Sequence, residues 1–221
     1  MTPVGRLSLA TGSVLMLATG FVDAYTFLQH GHVFAQAMTG NLVLIAIGTF
    51  DPRIVAFWRP LVSYLAFVVG VVAVWAWSRG QDTGERRPGP QLATLGLQVV
   101  VLAVVGFLAG GGALSVAITA VISFASGMQI AAFRDVGQAS FTTTVMTTNS
   151  MKTVNAALAA VTSADPESRA VARAYGTALA CFVAGAFLGA FLSTWLGDRA
   201  AWVDAALFAV AGVLYVLERR G

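Results

Sequence analysis

The chain has 221 residues, of which 57% are hydrophobic and only 10% are charged, with a formal net charge of +3. A typical soluble domain carries roughly 25% charged residues, so this composition excludes an ordinary soluble protein and predicts one integral membrane domain over residues 1–221. The small positive charge lies in short loops, which favours orientation in a bilayer and argues against nucleic-acid binding.

Six apolar segments are each long enough to cross the hydrocarbon core of a bilayer, which takes about 20 residues. They are residues 7–29, 60–77, 92–109, 113–133, 171–196 and 201–217. The first is too long for a signal peptide and lacks a convincing cleavage site, so we expect it to be retained. Residues 78–90 are rich in glycine, proline and charge and predict a flexible connection.

Two further segments are unusually polar for a membrane. Residues 35–50 are short and carry the sequence Met-Thr-Gly-Asn at 38–41, although the six residues after it are apolar. Residues 140–161 are rich in threonine and asparagine and include Lys152. As a helix this segment would be polar on every side, so we expect protein or water to enclose it. The two segments are re-entrant or spanning, which predicts an all-α fold with six to eight membrane helices.

The polar tetrapeptide returns as Met-Thr-Thr-Asn at 146–149. Further matches keep the same order, including residues 19–24 with 126–131 and Gly70 with Gly185. The shared order predicts an internal two-fold repeat, with one half at about 7–110 and the other at about 112–218.

The distribution of positive charge bears on the relative orientation of the halves. Two spanning polar segments would give eight spans and parallel halves, whereas two re-entrant segments would give six spans and inverted halves. With six spans, ten of the 13 Lys and Arg residues lie on one side, against eight of the 13 with eight spans. The positive-inside rule therefore favours six spans and a cytoplasmic N-terminus.

Several short motifs together resemble the YoaK family of bacterial membrane proteins, a domain-of-unknown-function family (1275), over nearly the whole chain. They are Gly-Phe-Val-Asp-Ala at 20–24, Phe34, Met-Thr-Gly-Asn at 38–41, and Gly-Met-Gln at 127–129 with Arg134. The resemblance implies a multi-pass protein of the bacterial inner membrane with about six spans and no established activity. The second tetrapeptide departs from the first at Thr148, so a glycine-dependent bend is expected only at Gly40.

Asp23 is the leading candidate for a functional side chain. It lies late in the first span, on a helix face of small and polar residues that is expected to face inward. A carboxylate at membrane depth costs at least about 2.5 to 3.5 kcal/mol on insertion scales and is usually kept for function or paired. Asp23 therefore has three possible roles: a cation or proton site, a structural ion pair with Arg134 or Lys152, or a carboxyl group near the membrane surface.

The other candidates for a substrate-binding site are polar side chains in or near the repeated motifs. They are Thr39, Asn41, Gln129, Arg134, Thr147 and Asn149. Their hydroxyl and amide groups can bind a solute or cap a half-helix, and Arg134 can bind an anionic group or mark the cytoplasmic interface. We expect Asn41 and Asn149 to meet near a common cavity beside Asp23.

These features favour a transporter or channel for a small solute or ion whose identity the sequence does not give, with the lipid bilayer as its surroundings and a homo-oligomer left open. The alternative is a non-catalytic membrane partner or assembly subunit. An intramembrane lipid enzyme is disfavoured, since no second acid is evident near Asp23 and no Ser/His pairing has a recognisable spacing. His30 and His32 lack a third ligand and are expected to be ordinary interfacial histidines, with no metal or cofactor.

Overall fold

The computed structural model describes residues 6–79, 89–108, 111–133, 135–136, 146–162 and 166–220. Within them the chain forms eight α-helices, one 3-10 turn and a pair of two-residue parallel strands. The strands are β1 (Arg6–Leu7) and β2 (Asp135–Val136), and the 3-10 turn is Gly197–Ala200. The helices are α1 (Leu9–Gln29), α2 (Met38–Phe50), α3 (Trp58–Arg79), α4 (Gly89–Val105), α5 (Gly112–Ala132), α6 (Met146–Thr162), α7 (Pro166–Leu196) and α8 (Ala201–Arg220).

Each of the six predicted spans coincides with a helix, namely α1, α3, α4, α5, α7 or α8. By length and composition, α1, α3, α5 and the continuous stretch Arg169–Arg220 are apolar enough to cross a membrane, while α2 and α4 are shorter apolar helices. The prediction of a polytopic all-α membrane protein is therefore confirmed. The count of six spans stays a prediction.

Close contacts along the helix pairs give their relative directions. Helices α1 and α7 run parallel, because Gly185 packs against Leu17 and Gly189 packs against Phe21. Helices α3 and α5 also run parallel, because the hydroxyl groups of Ser63 and Ser123 are 2.7 Å apart and Gly70 packs against Met128 farther along both helices.

Helix α4 runs antiparallel to both α5 and α8. Gln91 donates to the carbonyl of Ala132 near one end of the α4–α5 pair, and Gln98 donates to Ser126 farther along. On α8, Gly212 packs against Leu95, whereas Trp202 donates to the carbonyl of Ala103. Helix α1 is also antiparallel to α8. It follows that α1 runs opposite to α5, α3 runs opposite to α7, and α4 runs opposite to α8.

The two parallel crossings are built in the same way. At each one, a glycine lies against a backbone carbonyl of the facing helix, and any side chain there would overlap that oxygen. The pairs are Gly20 with Phe182, Gly185 with Leu17, Gly127 with Phe67, and Gly70 with Phe124. Each crossing thus contains two glycines, one on each helix. Each glycine faces the carbonyl of the residue that lies three positions before the other glycine of the same crossing. Matching contacts and opposite directions are what inverted halves require; the internal duplication itself stays a prediction.

Helix α6 differs from what its composition predicted. Met151, Val154 and Leu158 form an exposed apolar stripe, while Thr153 lies beside Gly176 of α7. The expectation of a segment that is polar on every side is wrong for this described part. Its threonines and asparagines are concentrated near the start of the segment, and helical spacing places the three apolar residues on one face.

Candidate functional site

The connection between α1 and α2 turns back into the protein. Gly31 and His32 have positive φ angles of 84° and 60°, which reverse the chain after α1 ends. The next five residues, 33–37, form what we call the re-entrant loop, in which Val33, Ala35 and Gln36 are buried. Irregular backbone inside a membrane protein needs hydrogen-bond partners from the protein itself. Two of the residues predicted to bind substrate supply them.

Asp23 binds the far end of the re-entrant loop. It is 6% exposed, and its Oδ1 accepts hydrogen bonds from the backbone N–H groups of Gln36 at 2.7 Å and Ala37 at 3.3 Å. Asp23 lies two turns before the end of α1, so the loop descends along α1 before α2 begins. The carboxyl group is thus an anchor for backbone amides as well as a buried acid.

The ion pair predicted between Asp23 and Lys152 is not seen, and the one with Arg134 stays a prediction. Among the described residues no salt bridge joins Asp23 to a cation. The ammonium group of Lys152 lies 5.4 Å from the ring centroid of Tyr175 on α7, and Arg134 lies outside the described residues. Asp23 is enclosed by protein, and a position near the membrane surface stays a prediction.

Asn41 binds the middle of the loop through its side-chain amide, which pairs with both backbone groups of one residue as a neighbouring strand would. Its Oδ1 accepts from the N–H of Phe34 at 3.0 Å, and its Nδ2 donates to the carbonyl of Phe34 at 2.7 Å and to Ser63 Oγ at 3.1 Å. The Ser63 hydroxyl is also 2.9 Å from the same carbonyl oxygen and links the loop to Ser123 on α5. Asn41 therefore fixes the loop to α3 and α5, and the cap of α2 is Ala37, without a side-chain bond.

Two other predicted site residues, Thr39 and Gln129, do not join this cluster. Thr39 is exposed. Gln129 is buried between α4 and α5, where its Oε1 accepts from Gln98 Nε2 at 3.2 Å. Thr147 and Asn149 belong to α6, but their side chains lie outside the described residues, so the expected meeting of Asn41 with Asn149 stays a prediction.

No polar cavity opens onto Asp23 or Asn41 among the cavities described for these helices. One, of about 270 Å³, is an apolar groove between α4 and α5. Another, of about 510 Å³, is an apolar groove between α4 and α8. Neither groove includes a residue of α1 or of the re-entrant loop.

A second acid near Asp23 was missed from the sequence. Asp204, in the first turn of α8, is 0% exposed, and neither of its carboxylate oxygens has a hydrogen-bond partner among the described residues. It lies close enough to Asp23 for their charges to interact. The expectation of a single acid is wrong because α1 and α8 are distant in sequence and pack together only in the fold. The detectable signal was an aspartate inside the apolar run 201–217.

His30, expected to be an ordinary interfacial histidine, is enclosed by protein. His30 is 1% exposed; its Nε2 is 2.8 Å from the hydroxyl of Tyr25, and its Nδ1 is 3.2 Å from Ser115 Oγ. Its Nε2 also lies 3.8 Å from Asp198 Oδ1 in the 3-10 turn. His30 is therefore part of an internal polar network, and a Ser/His pair does exist in space. His32 is exposed, as expected of an interfacial histidine.

A bundle of apolar helices around a buried re-entrant loop and two enclosed acids defines a polytopic membrane protein. The family model described as "Protein of unknown function (DUF1275)" matches residues 11–214, and the chain belongs to this family. It is 30% identical over 137 residues to the UPF0700 transmembrane protein YoaK of Bacillus subtilis (strain 168). That match covers 61% of this chain and 60% of the relative, so the chain spans about three fifths of its length. No solved structure matches. The resemblance to the YoaK family is thereby confirmed.

Proposed function

We propose that the protein transports a small polar solute or an ion across the bacterial inner membrane. The observation that carries the proposal is the pair of buried acids, Asp23 on α1 and Asp204 on α8. An ionisable side chain at membrane depth costs several kcal/mol and typically marks an ion or substrate path. Asp204 has no hydrogen-bond partner among the described residues that would explain it as a structural group.

The helix arrangement supports the same proposal. Oppositely directed sets of helices and a broken membrane segment recur in secondary transporters, where the two sets rock around a central site. Here the break is the re-entrant loop, and α2 is the half-helix that follows it. The loop is held by hydrogen bonds from a few side chains, so a change at Asp23 alters the contacts that hold it in place.

Gln36 supplies a polar side chain for the transported species. It is 2% exposed, and neither its amide oxygen nor its amide nitrogen has a partner among the described residues. A buried amide group without a partner costs about 1–3 kcal/mol, which a bound solute or water recovers. Gln36 is adjacent to the carboxyl of Asp23 through its own backbone N–H. The proposal therefore assigns Asp23, Gln36 and Asp204 to one site and requires no enzymatic step.

A flux measurement in proteoliposomes tests the proposal. A thermal-shift screen of metabolites and ions on the purified protein first selects compounds that stabilise it, and counterflow of the selected compounds is then measured. We expect Asp23→Asn and Asp204→Asn to remain in the membrane at normal abundance and to lose flux. The matched control is Asp51→Asn, which removes an exposed acid that binds Arg53. Equal flux in all three variants would retire the acid pair from transport.

The exposed face of α6 favours a second candidate, a membrane partner or assembly subunit. Met151, Val154 and Leu158 are exposed on this face, and Asn155 beside them is a polar group that lipid does not satisfy. A photo-crosslinking residue at Val154 is expected to give a discrete protein adduct in cells. The same residue at Val69 on the apolar face of α3 is the control. Identical lipid-only products at both positions would argue against a partner.

A further inference from the structure

We infer that three buried glutamines between α4 and α5 form a binding site for the transported solute, and that this solute carries an uncharged amide or urea group. The three are Gln91 and Gln98 of α4 and Gln129 of α5. The inference deepens the proposed function and rests on it. It is carried by amide atoms that protein encloses and that have no hydrogen-bond partner among the described residues.

The inner part of this amide site is the pair of Gln98 and Gln129. These residues are 0% and 1% exposed, and Gln98 Nε2 donates to Gln129 Oε1 and to Ser126 Oγ, each at 3.2 Å. The other two amide atoms, Gln98 Oε1 and Gln129 Nε2, have no partner in the part of the chain that the structure describes. Because the two amide groups are in direct contact, one small molecule can reach both of these atoms. The pair therefore offers one free acceptor and one free donor.

The outer part of the amide site is Gln91, in the first turn of α4. Its Nε2 donates to the carbonyl of Ala132, the last residue of α5, at 3.2 Å. Its Oε1 has no partner within the described ranges. Gln91 and Gln98 are two turns apart on one face of α4, with the buried Thr94 between them. The amides therefore lead from the ends of both helices to the inner pair, which gives a solute an entry route at the helix ends.

The chemistry of the amide site favours an uncharged ligand. Among the described residues, the side-chain partners of the three glutamines are uncharged: one another, a serine hydroxyl and a backbone carbonyl. An ion in an enclosed site needs an opposite charge, whereas a neutral polar group needs only hydrogen bonds. An amide or urea presents an N–H group for Gln98 Oε1 beside a carbonyl for Gln129 Nε2. Gln91 Oε1 offers an acceptor to the same N–H groups at the entry.

The amide site and Asp23 lie toward opposite ends of the bundle. Asp23 is two turns before the end of α1, and Gln129 is one turn before the end of α5. Because α1 and α5 run in opposite directions, these helix ends lie on opposite sides of the membrane. The amide site is on the side where α4 begins, which six spans and a cytoplasmic N-terminus make the cytoplasmic side. A solute that crosses therefore meets the re-entrant loop on one side and the amides on the other.

Three probes of nearly equal size test the amide site: acetamide, acetone and acetate. Acetone keeps the carbonyl of acetamide without its N–H groups, and acetate replaces the amide by a charge. Unfolding of the purified protein in mixed micelles is followed by tryptophan fluorescence at increasing probe concentration. So small a ligand binds at best with a dissociation constant on the order of 40 µM, so about 0.1 to 100 mM is used. We expect acetamide alone to raise the melting temperature, with a rise that grows with the logarithm of its concentration.

A double variant separates binding from packing. Gln98→Met combined with Gln129→Met keeps the side chains close to their original size and removes both amides. It is expected to lose the acetamide shift. Without a probe it is expected to melt at or above the wild-type temperature, because buried amide atoms without partners are removed. The matched control is Gln29→Met, which removes a glutamine that donates to the Ser193 carbonyl at 2.9 Å and should keep the acetamide shift.

Side-chain amide resonances of glutamine-labelled wild-type protein test the site without a variant. Acetamide is expected to shift the resonances of Gln98 and Gln129 and to leave that of Gln29 in place. Unmoved resonances, equal effects of the three probes, an acetamide shift kept by the double variant, or a double variant that melts below the wild type would overturn the amide site. Neither measurement uses flux. Acetamide binding in this pattern without counterflow of any selected compound therefore refutes the proposed transport alone, and counterflow without an acetamide response refutes the amide site alone.

Discussion

The hydrogen bonds of Asn41 make a quantitative prediction about the re-entrant loop. Asn41→Ala removes the partner of the Phe34 N–H, while the Phe34 carbonyl keeps its bond to Ser63 at 2.9 Å. One orphaned buried amide costs about 1–3 kcal/mol, and each further lost hydrogen bond about 0.5–1.5 kcal/mol. The expected loss of stability is about 2–4 kcal/mol, or roughly 4–16 °C in melting temperature for a chain of this size.

The assay is unfolding in mixed micelles, followed by tryptophan fluorescence. The control is Thr39→Ala, an exposed position on the same helix, which should change stability by less than about 0.5 kcal/mol. Ser63→Ala combined with Asn41→Ala should be non-additive, because both side chains bind the Phe34 carbonyl. Equal stabilities of Asn41→Ala and Thr39→Ala would refute the role of Asn41 as the anchor of the loop.

Three further outcomes are expected. Gly185→Ala should destabilise the protein by about 1–3 kcal/mol or more, because the added methyl group overlaps a backbone carbonyl of α1. The control is Gly96→Ala, which has open space around it and should unfold like the wild type. In a cysteine-free background, Arg53→Cys should react with an impermeant maleimide from outside intact cells and Arg79→Cys should not; the reverse pattern would contradict six spans with a cytoplasmic N-terminus. Glu218→Gln should cost about 1 kcal/mol of stability in the same micelle assay, because its carboxylate accepts hydrogen bonds from the start of α1; an unchanged midpoint would count against this contact.

The spans were predictable because apolarity is a local property of the sequence. A run such as 113–133 must lie in lipid or in a protein interior whatever it packs against, and it forms α5 almost to the residue. The burial of Asp23 was also predictable from the local sequence, because its helix face consists of small and polar residues that are expected to face inward. Its partners were not. Backbone amides carry no sequence signature, so the bonds to Gln36 and Ala37 follow only from the path of the loop.

The proximity of Asp204 to Asp23 could not be predicted from the local sequence. It depends on the crossing of α1 and α8, which is set by packing contacts spread along both helices. The same holds for the contact of His30 with Ser115 and Asp198, which join three separate elements. Sequence patterns predict which face of a helix is buried; they do not predict which helix covers it.

The two predicted halves match in their helix crossings but differ in their chemistry. Gly20 and Gly127 occupy equivalent crossings, and residues 19–24 match 126–131 in sequence. In that match the counterpart of Asp23 is Ile130, so the second half has no acid at the corresponding place. The proposed transport site therefore depends on an acid that the second half lacks, whereas the matching glycines serve the close packing of the helices in both crossings.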